Sequence, residues 1–160
     1  MNGKHNLDFL AATAAQQICE VIGEEVKNEK KVEARNVENL VTKALGVLQN
    51  QGVYAMALFL FSRSGKGTED NKMSAEERVA VQILACLWPL RNPLDVRTPE
   101  KDGKVNIVLD KEPLQINATK KEMLSEFCKL TSHLDTLLLV REIYEQTLIY
   151  ARYGAKAEGK

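Results

Sequence analysis

The residues of this chain that could act in catalysis are few, and their spacing does not bring them together. His133 and Asp135 stand two residues apart, which on a helix directs their side chains to different sides, and the second histidine, His5, lies at the terminus. The carboxylate pairs Glu24-Glu25 and Glu76-Glu77 are adjacent in sequence and splay apart on a helix. We therefore expect no catalytic dyad, no metal site and no cofactor, and we predict that the protein is not an enzyme.

A short glycine-rich segment, Gly65 to Thr68, resembles a fragment of a phosphate-binding loop. The full motif requires a glycine five residues before the Gly-Lys pair, but Leu60 stands there. It also requires a preceding strand, whereas the composition of the apolar run Val53 to Phe61 favours a helix. The segment is therefore interpreted as a flexible turn.

The three cysteines, Cys19, Cys86 and Cys128, are widely spaced and form no Cys-x-x-Cys motif. Their odd number disfavours a disulfide framework or a zinc module, and each lies in or beside an apolar stripe. We expect all of them to be buried, in a protein of the reducing cytoplasm. Residues 1–5 do not lead into the apolar stretch of a signal peptide, and the longest apolar run is about half of what a membrane span needs.

The charges balance overall but not along the chain. The 160 residues include 22 basic and 22 acidic side chains, so zero net charge disfavours bulk electrostatic binding to nucleic acid. However, the 30 residues from Asn39 to Thr68 contain no acid but include Lys43, Arg63 and Lys66. A core segment that excludes acids would explain this pattern, and a cationic edge facing a phosphate backbone is the alternative. Further basic residues lie near the C-terminus: Arg141, Arg152 and Lys156.

Apolar stripes with helical spacing predict the elements that must position these residues. They indicate an all-α, single-domain bundle of five to six helices over residues 1–153. The predicted helices are about Leu7–Asn28, Asn36–Asn50, Val53–Ser64, Ser74–Trp88, one behind Thr119 that carries Leu134, and a last one ending near Tyr153. Residues 92–117 alternate and contain turn chemistry, which predicts a small β-hairpin or a loop insertion, and residues 154–160 are expected to be a disordered tail.

Residues that start and stop helices support these boundaries. Asn6 can cap the first helix, and the segments Ser74 to Glu77 and Thr119 to Glu122 each have the spacing of a capping box. Gly52 is expected to end the second helix in a left-handed conformation, and Gly154 is expected to end the last helix.

Three segments together resemble a known protein family, and the first is an opening helix rich in alanine. Leu48 to Arg63 contains a helix end, a break at Gly52, an apolar helix and a basic residue, and Ile149 to Gly154 ends in an arginine followed by an aromatic residue. Together they are similar to the small helical subunit of type III CRISPR ribonucleoprotein complexes, closest to the Cmr (type III-B) family. The stretch Tyr144 to Gly154 also resembles the Csm (type III-A) small subunit, so the subtype stays open. Ile149 replaces the family's tryptophan, and Gln51 is one residue more than the family has.

The resemblance implies a non-catalytic subunit of a prokaryotic antiviral complex. Several copies of such a subunit stack along the backbone of crRNA-binding subunits, beside the large subunit, and contact the crRNA–target RNA duplex without reading its sequence. Of the matching positions, Arg63 and Arg152 would contact RNA, because arginine binds phosphate bidentately. Charge and position add weaker candidates for RNA binding: Lys66, Lys43, Arg141 and Lys156. The alternative function is a helical protein-interaction or adaptor module that binds no nucleic acid and no membrane.

Overall fold

The computed structural model describes residues 6–64, 73–91 and 116–159, with side chains from residue 121 onward in the last range. The described residues form six α-helices and one two-stranded antiparallel sheet, which confirms the predicted all-α single-domain bundle. The helices are α1 (Leu7–Cys19), α2 (Ala34–Gln51), α3 (Val53–Arg63), α4 (Ala75–Leu87), α5 (Ile116–Leu130) and α6 (Leu134–Glu158). Lys66 and residues 92–115, which hold nearly all of the expected hairpin or loop insertion, lie outside the described residues.

Helix α6 lies beside both α1 and α2 and supplies much of the core. Its Ile143, Tyr144 and Leu148 side chains are fully buried, and the stripe of α2 that the sequence predicted is buried as well. Burying one large apolar side chain stabilises the fold by about 1.5–3 kcal/mol, so these facing stripes hold the bundle together. The two helices run antiparallel, because Arg141 contacts the end of α2 at Gln49 while Lys156 contacts its beginning at Glu38.

Three of the predicted helix boundaries are confirmed by hydrogen bonds or backbone angles. Asn6 caps α1, since its Oδ1 accepts a hydrogen bond from the Phe9 amide at 2.6 Å. Ser74 and Glu77 form the expected capping box at the start of α4, with reciprocal bonds of 3.1 and 2.9 Å. Gly52 separates α2 from α3 at a φ of 98°, in a region that a glycine adopts without steric cost.

The predicted first helix, Leu7 to Asn28, is wrong beyond Cys19. The chain leaves the helix and, after Gly23 at a φ of 95°, forms strands β1 (Glu25–Val26) and β2 (Lys30–Lys31) joined by a turn at Lys27–Glu29. Val26, which fits the spacing of the α1 stripe, instead fills the core from β1. A single buried valine fits both a helical and a strand pattern, so periodicity alone could not distinguish a continued helix from a strand.

The predicted end of the last helix at Gly154 is also wrong, because α6 continues to Glu158. A Cβ atom at Gly154 would lie 3.2 Å from Cys19 Sγ, so this glycine permits the close approach of α1 and α6. Helix α5 begins at Ile116, about one turn before the predicted cap at Thr119.

Burial of α3 and of the cysteines is less complete than the sequence predicted. Leu58 of α3 is exposed, although the helix is apolar on all sides. Cys86 is buried as expected, whereas Cys19 is half-buried and Cys128 is exposed. Sequence adjacency to an apolar stripe was therefore too coarse a guide, because a shift of one position on a helix turns a side chain by about 100°.

Candidate nucleic-acid interface

Arg63 lies at the C-terminal end of α3, where its guanidinium is shared between two neighbours. Nη1 lies 3.0 Å from Glu76 Oε2 at the start of α4, and Cζ lies 5.1 Å from the centre of the Phe59 ring. The Arg63 side chain is 38 % exposed and that of Glu76 is 47 % exposed. An ion pair this exposed is worth about 0–1 kcal/mol, so a phosphate could replace the carboxylate at little cost.

Most of the other basic candidates lie along one polar edge between two helices, which we call the α2–α6 seam. Its residues are Glu38, Gln49, Arg141, Glu145, Arg152 and Lys156. Arg141 Nη2 donates a 2.8 Å hydrogen bond to the Gln49 carbonyl in the last turn of α2, and Gln49 Nε2 donates a 2.7 Å bond to Glu145. A cation at this position also suits the negative end of the helix dipole.

The remaining cations of the seam, Lys156 and Arg152, differ in exposure: Lys156 is exposed and Arg152 is half-buried. Lys156 Nζ lies 3.8 Å from Glu38 Oε2. Arg152 is half-buried, and its Nε atom is buried with no hydrogen-bond partner among the described residues. The seam therefore joins two helices with its charged groups. The predicted RNA contacts of Arg141, Arg152 and Lys156 stay untested, and the partners of Arg141 and Lys156 favour a role in stability for those two residues.

Lys43 is exposed and lies on a different side of α2. It follows Glu38 by five residues, a rotation of about 140° around the helix, so it points away from the edge that contacts α6. It shares its side of α2 with Asn36, seven residues earlier. The described candidates thus lie at three places: the seam, another side of α2 for Lys43, and the C-terminal end of α3 for Arg63.

A cleft of about 780 Å³ opens between the β1–β2 hairpin and the starts of α2 and α4. We call it the hairpin cleft. It is lined by Lys27, Lys30 and Lys31 together with Asn28, Asn36 and the carboxylates of Glu33 and Glu76. All three lysines are exposed, and none forms an ion pair within the described residues.

The two acids of the hairpin cleft each have an arginine partner. Glu76 pairs with Arg63 at 3.0 Å, and Glu33 pairs with Arg35 at 3.5 Å. Three lysines and two glutamates give the lining a net charge of +1, and Arg63 lies beside it through its pair with Glu76. The hairpin itself also carries two exposed acids, Glu25 opposite Lys31 and Glu29 at the turn. The three lysines lie outside the acid-free stretch from Asn39 to Thr68, so the uneven charge distribution along the chain did not predict this surface.

The hairpin that carries the lysines is attached firmly to α4. Arg78, which is only 7 % exposed, donates two hydrogen bonds to the Glu24 carboxylate at 2.9 and 3.4 Å. The backbone amide of Lys27 donates a further 2.9 Å bond to the Met73 carbonyl. These bonds place the lysines beside the start of α4, and hence beside the Arg63–Glu76 pair.

Comparisons with known proteins assign neither a family nor a function to this chain. No family model, no curated protein and no solved structure matches the chain. The resemblance to type III CRISPR small subunits therefore rests on the sequence alone, chiefly on Leu48 to Arg63 and Ile149 to Gly154.

Sequence reasoning missed the lysines of the hairpin cleft. Residues 24–38 look like a solvated helix end of mixed charge, because acids and bases alternate there. The fold binds Glu24 to Arg78 and leaves the three lysines exposed without an ion pair among the described residues. The available signals were Gly23 and the turn-forming Asn28 within a charged stretch, which together favour a hairpin over a continuous helix.

A second cavity of about 420 Å³ lies between α1 and α6. It is lined by small residues such as Ala12, Ala15 and Gly154, and by Cys19. Burial and the nearby Glu158 raise the pKa of Cys19 to about 11, so this thiol stays protonated and is a poor nucleophile near neutral pH.

Metal ligands and membrane spans are both lacking in the described part of the chain. Its histidine, cysteine, aspartate and glutamate side chains nowhere form a group of three that could hold a metal ion. Within the same residues, no helix is both long enough and apolar enough to cross a membrane.

Proposed function

We propose that this protein is a non-catalytic small subunit of a type III CRISPR effector complex, where it contacts the backbone of the crRNA–target RNA duplex without reading sequence. The observation that carries the proposal is the position of Arg63. It ends the segment that resembles the family, and it stands part-exposed beside Glu76, which lines the hairpin cleft. The all-α bundle also fits the architecture that the resemblance implies.

Arginine at this position suits a phosphate partner. Its planar guanidinium can donate two parallel hydrogen bonds to a phosphate, which positions the duplex but conveys no base identity. Its present partner, Glu76, is nearly half exposed, so exchange of carboxylate for phosphate requires no buried charge to be uncovered. With few contacts in each copy, binding should be weak for one subunit and stronger in a stack of subunits.

The proposal can be tested with the purified chain and a fluorescently labelled RNA duplex. We expect weak binding that falls steeply between about 50 and 200 mM salt, because bound cations release counterions from the phosphates. Arg63→Gln should weaken binding more than Lys121→Gln, which removes one exposed charge from α5. Binding that does not respond to salt, or equal effects of the two substitutions, would contradict the assignment of Arg63.

A second experiment tests membership of the complex. A type III effector assembled with this chain should bind its crRNA–target RNA duplex more tightly than the same effector assembled without it. If neither duplex binding nor assembly depends on the chain, the proposed function is wrong.

One observation favours the alternative, a helical protein-interaction module that binds no nucleic acid. Leu134 and Leu138 lie four residues apart on one side of α6 and are 65 % and 54 % exposed. Exposed leucines in this arrangement are typical of protein contact surfaces. Neighbouring genes decide cheaply between the two functions, since genes for a polymerase-like large subunit and for RAMP-type proteins would support the first.

A further inference from the structure

We propose that the hairpin cleft is a binding site for the phosphate backbone of an RNA duplex. This inference rests on the proposed function, because it names the part of the surface that meets the RNA. Lys27, Lys30 and Lys31 would face the phosphates, and the amides of Asn28 and Asn36 would donate hydrogen bonds to them.

The first support is that the lysines have no acidic partner. Three ammonium groups line one cleft, and none forms an ion pair with an acid in the described residues. Like charges held close together destabilise a compact state unless a counter-charge approaches. A polyanion that neutralises several of them at once is the partner this surface fits best.

The second support is the set of neutral donors. Asn36 Oδ1 accepts a 2.8 Å hydrogen bond from the Glu33 amide as part of the capping box of α2. This bond orients the side chain and leaves its NH₂ group to donate elsewhere. Phosphate oxygens only accept hydrogen bonds, so they complement both the asparagine amides and the lysine ammonium groups.

The acids of the cleft do not cancel this attraction. Glu33 and Glu76 line it, but each is paired with an arginine, Arg35 and Arg63 respectively. Arg63 lies beside the cleft through its pair with Glu76, whereas Arg35 lines a different cavity together with Lys156. The three lysines outnumber the two glutamates of the lining, so the lining has a net charge of +1.

The lining also indicates how the RNA would be bound. No aromatic side chain is among the described residues that line the cleft, so it offers no platform on which a base could stack. The hairpin itself is held by Arg78 and by the Lys27–Met73 backbone bond, so the lysines approach the ligand from a fixed support. The expected mode is backbone binding that is independent of sequence and sensitive to salt.

The test compares two double variants of the full chain that lose the same charge. Lys30→Gln/Lys31→Gln alters the cleft, while Lys121→Gln/Lys129→Gln removes two exposed lysines of α5. Binding of a labelled RNA duplex of arbitrary sequence is measured by fluorescence anisotropy at several salt concentrations. All four positions are exposed, and circular dichroism verifies that both variants remain folded.

We expect the cleft variant to bind about ten-fold more weakly, with the slope of log K against log salt smaller by about 0.9 for each phosphate that is no longer neutralised. The α5 variant should behave like the natural chain. If the natural chain binds RNA and the two variants weaken it equally or not at all, the cleft inference is wrong while the proposed function stands. If the natural chain binds no RNA duplex, alone or in the effector, the proposed function fails and the cleft inference fails with it.

Discussion

The hairpin cleft and the α2–α6 seam both carry several cations, but they use them differently. In the seam, Arg141 binds a backbone carbonyl and Lys156 approaches Glu38, so the charges connect one helix to another. In the cleft, the lysines have no acidic partner within the described ranges, and the two acids present are bound to arginines instead. Four cations were predicted from the sequence by charge and position: Lys66, Lys43, Arg141 and Lys156. Position in the chain does not show whether a cation is paired within the fold or left open to a ligand.

The difference shows that the count of basic residues is a poor measure of an anion-binding surface. A cation that already caps a helix must break that contact before it can bind phosphate, whereas an unpaired lysine only loses water and counterions. The comparison therefore predicts that changes in the seam alter stability, and that changes in the cleft alter RNA binding.

The largest effect is expected at the attachment of the hairpin. Arg78→Met keeps the volume of the side chain but leaves Glu24 without its partner. We expect the free energy of unfolding to fall by about 2–3 kcal/mol. This loss is smaller than for a fully buried pair, because Glu24 is partly exposed. RNA affinity should fall as well, because the lysines lose their fixed support. Urea unfolding measures the first effect, with Arg35→Met as control, since that exposed pair should contribute at most about 0.5 kcal/mol. Equal losses in both variants would show that the Arg78–Glu24 pair does not hold the hairpin.

The seam is tested by Arg141→Ala, which removes the hydrogen bond to the Gln49 carbonyl. We expect a loss of about 1 kcal/mol in unfolding free energy, the usual contribution of such a bond at a partly exposed site. Affinity for the RNA duplex should remain within about two-fold of the natural value. An affinity loss as large as that of Arg63→Gln would mean that the seam faces the RNA.

Stability in α2 can also be raised without touching the cleft. A Cβ atom added at Gly46 would meet no atom within 4 Å, so Gly46→Ala should stabilise the protein by about 0.5–1 kcal/mol through helix propensity. Gly154→Ala gains less, because its Cβ would press against Cys19 Sγ at 3.2 Å. Thermal unfolding of the two variants provides the measurement, and a larger gain at Gly154 would contradict this packing of α1 against α6.

The smallest effect is expected at the tip of the hairpin. Glu29 has a φ of 60°, which costs a residue other than glycine about 1–2 kcal/mol. Because glycine loses more backbone entropy on folding, we expect Glu29→Gly to stabilise the protein by only about 0.5 kcal/mol. The same change in the extended strand, Glu25→Gly, should destabilise it, and differential scanning calorimetry distinguishes the signs. Stabilisation by both variants would exclude backbone strain at Glu29 as the cause.

Much of the fold could be predicted from the sequence because its signals are local. The stripe of α2, the break at Gly52 and the capping box at Ser74 each depend on residues within a few positions of one another. The hairpin could not be separated from a helix, since Val26 satisfies both patterns and the decisive contact, Glu24 with Arg78, spans 54 residues. Gly154 likewise fits the sequence rule for a helix end, and only the distance to Cys19 reveals its packing role.

The candidate site was predictable only in part, because it also depends on contacts between residues that are far apart in the sequence. Arg63 was found through the resemblance and Lys43 through the lack of acids around it. The cleft lysines were hidden by neighbouring glutamates, because the sequence does not tell which charges the fold pairs internally. Ion pairs between different helices or strands, such as Arg63 with Glu76, decide which cations remain available to bind phosphate.

A single titration series that includes both regions separates the roles of the cleft and the seam. Binding of a labelled RNA duplex is measured for Lys30→Gln/Lys31→Gln and for Arg141→Gln/Lys156→Gln, two variants that remove equal charge from the two regions. We expect about a ten-fold loss of affinity and a weaker salt dependence for the cleft variant only. A loss of affinity of about ten-fold in the seam variant, with the affinity of the cleft variant unchanged, would show that the RNA meets the seam instead of the cleft.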